Sequence, residues 1–410
     1  MAKFEDKNLR PIPVLFHESY FNEFYGAQNG LYNLLRCIDR NHFSPLVVCP
    51  SDGVFPDRVR ELGIEVVIVP LPLELLSFGG KLLRSSFTER VGQLARLFPQ
   101  IIQLVRLIQS RNIQLMHCNT IRSMLSSGIA ARLSGIPLIW HVKGDGSHGY
   151  LDYAAFILSD KIVTISDDVT HYLKQRPFWN ASGKIVTVRD GIPLDRFNLN
   201  VSGRTVRQEM DFQEQDLVVG TVGALSPRKG HEFFIHMAKN LAMKYPNVKF
   251  MIVGDITNES YATFKQHLQE LAQDLTNSGR LVYLGWRDDM PEVYAAMDVF
   301  VLASSVEGLA LVVLEAMALA KPIVRTLAAG ANDTVMDGET GYLVPVDNLP
   351  ALTSAVEKLV SDHALRLSMG AAARRRVVSI FSAERMAREM EQIFSDCLSI
   401  PVEGNHYHFA

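Results

Sequence analysis

Apolar positions along this chain fall into two alternating kinds of run. Short, mostly unbroken apolar stretches recur at 13–16, 45–49, 66–69, 113–117, 138–142, 161–165 and 185–188. Their length and continuity suit strands buried on both faces. Between them, at 31–38, 58–62, 123–133 and 150–158, apolar residues return at helical spacing. Residues 198–216 are polar and irregular and read as a linker. The alternation then resumes, with strands at 217–222, 249–253, 281–284, 299–303 and 323–325. Helices open at 231 and cover 264–275, 352–359, 364–378 and 383–398, while 293–297 leads into the strand at 299. Strand and helix in repeated alternation is the signature of an α/β protein with parallel, doubly wound sheets. The pattern predicts an N-terminal Rossmann-like domain at 1–197, the linker at 198–216 and a second Rossmann-like domain at 217–382. A last helix and tail occupy 383–410.

Length agrees with this division, since 410 residues is long for one core. A chain 48% hydrophobic and 21% charged is globular, and a net charge of −3 makes no general case for nucleic-acid binding. Cys37, Cys49, Cys118 and Cys397 lie far apart and form no C-x-x-C, which points to a reducing, cytoplasmic setting. The polar opening M-A-K-F-E-D-K-N-L-R does not read as a signal peptide. No apolar run approaches the roughly 20 residues that span a bilayer. The stretch 79–112 differs from the rest, with Lys81, Arg84, Arg90, Arg96, Arg106 and Arg111 interleaved with apolar residues. Such a helix either packs its apolar side on its own sheet or lies on an anionic membrane, so peripheral membrane contact through 81–111 is one expectation. His406 and His408 sit in a tail that reads as a frayed end rather than a metal site.

Candidate chemistry gathers at 299–321. The apolar strand is followed by Ser304 and Ser305, then V-E-G-L-A-L-V-V-L-E-A-M-A-L-A-K-P. Glu307 falls in the loop. Leu309, Ala310 and Leu311 open the helix, and Glu315 sits about one turn inside it. Eight helical positions span about 12 Å, so the two carboxylates would bracket an elongated ligand rather than share a proton. The helix start between them offers free N–H groups and a positive dipole end to an anion. A nucleotide-sugar has that layout: sugar hydroxyls, then diphosphate, then ribose diol. Arg228 and Lys229, in G-A-L-S-P-R-K-G after the strand 217–222, place two cations before another helix start, as a diphosphate site requires. Gly26 follows the first strand, where ligands bind in such sheets, and His141 ends the strand 138–142. A literal Gly-x-Gly-x-x-Gly at 144–149, with Asp167 about twenty residues on, offers a rival reading as an NAD(P)-dependent oxidoreductase. Against it, Asp145 would put a negative charge in the phosphate loop, and the following helix is short.

The E-x7-E spacing with E-A-M-A-x-x-K-P, the R-K-G turn, and G-I-P before a strand ending in His together resemble the retaining glycosyltransferases of family 4, which have the GT-B fold. The resemblance covers almost the whole chain and is strongest over 217–345. It implies two Rossmann-like domains facing a central cleft, with the acceptor in the first and the donor mostly in the second. By that likeness, Glu307 meets the donor sugar near the reacting carbon and His141 also reaches that sugar. Glu315 binds the ribose, and the loop holding Trp286 and Arg287 lines the nucleobase. The Gly26 loop lets backbone approach the donor phosphates and the acceptor. The chain departs from the pattern at Gly26 (two adjacent glycines are usual), Asp190 (Asn), Ala224 (often Arg), Ala320 (Gly) and Asp333 (Glu), which loosens what can be said of the donor. No D-x-D occurs, so no metal and no cofactor beyond the nucleotide-sugar co-substrate is expected. Glycan, lipid-linked or small-molecule acceptors fit such an enzyme. A non-catalytic sugar-nucleotide binding protein is the remaining alternative.

Overall fold

The structure, a computed structural model, describes residues 10–22, 24–71, 96–144, 149–176, 179 and 183–399. The chain divides into two compact units. One comprises Met1–Ile165, Val169–Arg189 and Glu384–Ala410, the other Ser166–Asp168 and Asp190–Ala383.

The first unit is built on seven parallel strands: β1 (Ile12–His17), β2 (Phe43–Cys49), β3 (Glu65–Ile68), β4 (Leu115–Cys118), β5 (Leu138–Val142), β6 (Lys161–Thr164) and β7 (Ile185–Thr187). Their order is β3-β2-β1-β4-β5-β6-β7, so the winding reverses between β1 and β4. Alternation along each strand sends side chains to two cores. Val14, Phe16, Val47, Leu115 and Ile139 meet the helices Gly26–Cys37 and Val54–Glu61 on one face. Leu15, Val48, Met116 and Trp140 meet Phe98–Ser110, Ile121–Ser134 and Tyr150–Leu158 on the other. The last helix, Ala383–Leu398, adds Met386, Met390, Ile393 and Phe394 to the first of these cores. Phe394 lies 6.0 Å from Phe16 and 5.5 Å from Phe43 between ring centroids. Within the basic stretch, 79–95 fall outside the described residues. The remainder forms Phe98–Ser110, whose Ile101, Leu104 and Ile108 are buried on the unit's own sheet. Residues 145–148 of the Gly-x-Gly-x-x-Gly stretch also lie outside the described residues.

The second unit carries β8 (Leu217–Val222), β9 (Val248–Val253), β10 (Leu281–Tyr283), β11 (Val299–Leu302), β12 (Ile323–Thr326) and β13 (Gly341–Val344). All pair in parallel in the order β10-β9-β8-β11-β12-β13, with reversal between β8 and β11. Val219, Phe250, Ile252, Val301 and Val324 pack against the helices His231–Lys244 and Leu349–Ser361. Residues 198–216 are no free linker. They include the helix Arg204–Glu209 and bury Val206, Met210 and Phe212 within this unit. Arg207 fastens them, donating to Ala296 O, Asp216 O and Asp298 Oδ2 at 2.7–2.9 Å. Polar spacing in the sequence concealed an amphipathic turn held by one guanidinium. The helix Asp167–Lys174, with only Val169 and Leu173 buried, and the four-residue strand β13 leave little trace in the apolar pattern.

Candidate active site

In open parallel sheets, ligands bind outside the carboxyl ends of the strands where the winding reverses. In the second unit that point lies between β8 and β11, and the loops following those strands hold the sequence's main candidates. After β8 the chain makes a 3-10 turn, Pro227–Lys229, then enters His231–Lys244 through Gly230. Gly230 has φ +70°, and a Cβ there would lie 2.0 Å from Ala303 O, so only glycine lets the turn press against the β11 loop. Ser305 N donates to Arg228 O at 2.9 Å and ties the two loops together. In consequence Lys229 Nζ reaches Glu307 Oε1 at 2.7 Å, the pair keeping only 16% and 7% of its side-chain surface exposed. Burial pushes the Glu307 carboxyl upward. The Lys229 ammonium, the nearby Ser304 hydroxyl and the Arg325 guanidinium more than offset it, leaving the group below its ordinary value. Arg228, on the same turn, is exposed.

The helix after β11 begins at Leu311 rather than Leu309. Ala310 is its N-cap and is held in the left-handed region, φ +64°. A non-glycine residue there stores of order 1–3 kcal/mol, and such strain concentrates at functional loops. Leu309 is buried while Ala310 is half-buried. Glu315 is the fifth residue of Leu311–Ala318 and accepts from Tyr294 Oη at 2.7 Å. It keeps a partly exposed edge, and burial of the carboxyl raises its pKa against the opposing effect of that hydrogen bond. The two carboxylates therefore have separate partners, Lys229 and Tyr294. Arg287 does not join them. Its guanidinium is engaged by Asp289 at 2.8 Å and by Glu209 at 2.6 Å, and Trp286 beside it is exposed.

Two residues of this site carried little signal in the sequence. Tyr294 lies in the helix Met290–Ala296 and is wholly buried. Arg325 is a wholly buried cation inside the strand Ile323–Thr326, and a charge in an apolar run is the hint that could have marked it. Its Nη1 donates to Thr334 Oγ1 at 2.8 Å and Gly330 O at 3.3 Å, and its Nη2 to Ala329 O at 3.3 Å.

In the first unit, His141 on β5 is buried, its Nδ1 3.1 Å from Nε2 of His117 on β4. Burial, with the Lys143 charge, holds both imidazoles neutral, His117 at about 3 and His141 well below its ordinary value. Gly26 opens the helix Gly26–Cys37, and a Cβ there would meet nothing within 4 Å. Neither packing nor a positive φ requires glycine at this position. Beside it, at the point where this sheet's winding reverses, Glu18 is buried and accepts from Asn119 Nδ2 at 2.6 Å and Tyr20 N at 2.9 Å.

Two doubly wound parallel sheets, one with an ion pair and a helix start at its reversal point, define a protein of the doubly wound α/β class. Comparison with known proteins narrows this. Residues 24–196 match the family model for Glycosyltransferase Family 4, and residues 203–376 match that for Glycosyl transferases group 1. The chain belongs to these group 1, family 4 glycosyltransferases and has the GT-B fold. It is 26% identical over 314 residues to the capsular polysaccharide biosynthesis glycosyltransferase CapM of Staphylococcus aureus, covering 73% of this chain and 80% of that protein. It is 24% identical to the Escherichia coli UDP-Gal:alpha-D-GlcNAc-diphosphoundecaprenol alpha-1,3-galactosyltransferase, covering 72% and 79%. Among solved structures, a glycosyltransferase of Rickettsia africae superposes with a TM-score of 0.81 at 18% identity, covering 95% of this chain and 99% of that one. Anabaena Alr3699/HepE, in complex with UDP and glucose, superposes with a TM-score of 0.78 at 21% identity, covering 93% and 99%. Nothing in these likenesses favours the oxidoreductase reading.

Proposed function

We propose that this glycosyltransferase moves a sugar from a nucleotide-sugar donor to an acceptor hydroxyl with retention of configuration, in polysaccharide, lipopolysaccharide or lipid-linked glycan synthesis. The observation that carries the proposal is the buried Lys229–Glu307 pair at the reversal point of the second sheet. It sets a cation for a diphosphate beside a carboxylate for a sugar. The relatives' names, which specify capsular polysaccharide and an undecaprenol-linked acceptor, support the glycan class.

In this reading Arg228, Lys229 and the N–H groups at Leu311 neutralise the leaving diphosphate, so no metal is needed. Glu315, with one oxygen held by Tyr294, presents its carboxylate to the ribose diol. Glu307 positions the sugar and stabilises positive charge developing at the anomeric carbon. The bond from that carbon to the diphosphate breaks as the bond to the acceptor oxygen forms on the same face. The acceptor's proton passes to the departing phosphate. Trp286 and the backbone around Arg287 would border the nucleobase. We place the reaction in the cytoplasm, at the inner membrane surface where the acceptor is lipid-linked. Among the described residues no helix is long and apolar enough to cross a membrane.

The test is a calorimetric screen of UDP-glucose, UDP-galactose, UDP-N-acetylglucosamine, GDP-mannose and NAD(P)H, followed by turnover of the binding donor with octyl glycosides as acceptors. Proton NMR of the product reads the anomeric configuration. Binding of NAD(P)H and of no sugar nucleotide would overturn the donor assignment, and an inverted product would overturn retention.

A further inference from the structure

A difficulty arises inside the proposed donor site. In the free protein the Lys229 ammonium is Glu307's partner at 2.7 Å. If a donor diphosphate draws that ammonium away, Glu307 is left as a buried carboxylate close to two further negative charges. A carboxylate in that position takes up a proton unless another cation faces it. A protonated Glu307 could not stabilise positive charge on the sugar.

Arg325 is placed to supply that cation. It is wholly buried among the apolar residues of its strand, where an uncompensated charge is costly. Its terminal nitrogens hold the turn after the strand, at Ala329 and Gly330, and Thr334 beyond it. That turn is seated on the Glu307 loop. Gly330 has φ +70°, and a Cβ there would lie 2.2 Å from Gly308 O and 2.9 Å from Leu309 Cα. Arg325 thus holds the backbone that supports the residues next to Glu307. Its Nε–H is buried without a hydrogen-bond partner. The carboxylates whose charge acts on it are Glu307, Asp168 and Asp333. The cations whose charge acts on Glu307 are Lys229 and Arg325, with the Ser304 hydroxyl on its own loop. His231, beyond Lys229, is buried and kept neutral, its pKa lowered to about 4 by burial and the Lys229 charge.

We propose that Arg325 is the positioning residue that keeps Glu307 ionised in the donor complex, taking over as counter-charge when Lys229 turns to the diphosphate. The inference rests on the donor reading above. It gives a reason for a full cation in the interior of β12, where a neutral side chain would pack at less cost.

The test is the number of protons taken up when UDP-glucose binds. Calorimetry at pH 7 in buffers of differing ionisation enthalpy reads it, with GDP-mannose as the second probe. Both are diphosphate diesters, so the ligand itself does not titrate near neutrality. The wild type should take up no proton. Arg325→Met should take up about one proton per donor bound, and Arg325→Lys none. Adding Glu307→Gln to Arg325→Met should abolish the uptake and so assign the proton. Binding to Arg325→Met without uptake, or uptake of about one proton by the wild type, overturns the proposal. If Arg325→Met does not fold, wild type and Glu307→Gln are compared between pH 5 and 8. Affinity independent of pH in both supports it. An increase of about tenfold per unit fall in pH, confined to the wild type, overturns it. Failure of both probes to bind the wild type rejects the donor reading itself, a different result from donor binding with the wrong proton count.

Discussion

Replacing Lys229 by Met removes the ammonium from a carboxylate that the fold keeps buried, and this should cost stability as well as donor affinity. Removing one partner of a buried ion pair costs about 3–5 kcal/mol, because the other charge is left without compensation. Two features of the site argue for the lower end. Lys229 keeps 16% of its side-chain surface exposed, so some water replaces it, and the Arg325 charge still favours the ionised carboxylate. About 3 kcal/mol is therefore expected, which in a unit of this size lowers the transition temperature by roughly 6–12 °C. Because the unpaired charge causes the loss, Lys229→Met/Glu307→Gln should recover most of it. The pH dependence has a definite sign. The wild-type Glu307 pKa is lowered, so its contribution is complete above the ordinary value of 4.5 and is lost only as pH falls through the lowered folded value. Without the ammonium, burial raises that pKa, and the variant's carboxylate protonates first. The gap between the two proteins should therefore narrow from pH 7 to about pH 4. Urea unfolding of both proteins and the double variant at these two pH values makes the measurement. A loss under about 0.5 kcal/mol at pH 7, or a double variant as unstable as the single one, would refute the reasoning and leave Lys229 a solvated charge.

Further outcomes follow from the same geometry. Glu315→Gln should raise the donor KM with kcat little changed, the mark of lost uniform binding, whereas Glu307→Gln should lower kcat by roughly 10²–10³ with nucleotide affinity retained; reversed effects in steady-state kinetics would mean the donor lies the other way round. Ala320 has φ +55° just past the helix Leu311–Ala318. Relief of that backbone strain, less the extra chain entropy of glycine, should make Ala320→Gly about 0.5–1 kcal/mol more stable in a thermal melt. His17, His117 and His141 in the first unit all have lowered pKa values, the first two at about 4 and 3. The unfolded chain binds these protons near pH 6.5 and the folded unit does not, so stability should fall below that pH by about 1.4 kcal/mol per unit per histidine. Hydrogen exchange between pH 7 and 5 should show the first unit losing protection before the second, and equal loss in both would contradict it.

The two parallel sheets were legible in the sequence because apolar runs bounded by turns are a local record of burial on both faces. The strands Leu138–Val142 and Leu217–Val222 and the helix Ala383–Leu398 coincide to the residue with the sequence pattern for that reason. Glu307, Glu315, Arg228 and Lys229 were legible as candidates because turn chemistry and helix starts are local too. What remained hidden depends on residues far apart in the chain. Lys229 and Glu307 are 78 positions apart, and only the order of β8 beside β11, with a glycine admitting Ala303 O, closes them to 2.7 Å. Arg287 and Lys229 look alike in sequence, each a cation in a loop after a strand. Tertiary contacts give the first to Asp289 and Glu209 and the second to Glu307. The start of the 311–318 helix moved two residues because Ala310 is left-handed, a strain that no propensity of alanine announces. Tyr294 and Arg325 have no motif of their own. Their roles come from what the fold places against them, since a side chain's charge state and partners are set by its surroundings in space, and pattern along the chain records only which face is buried.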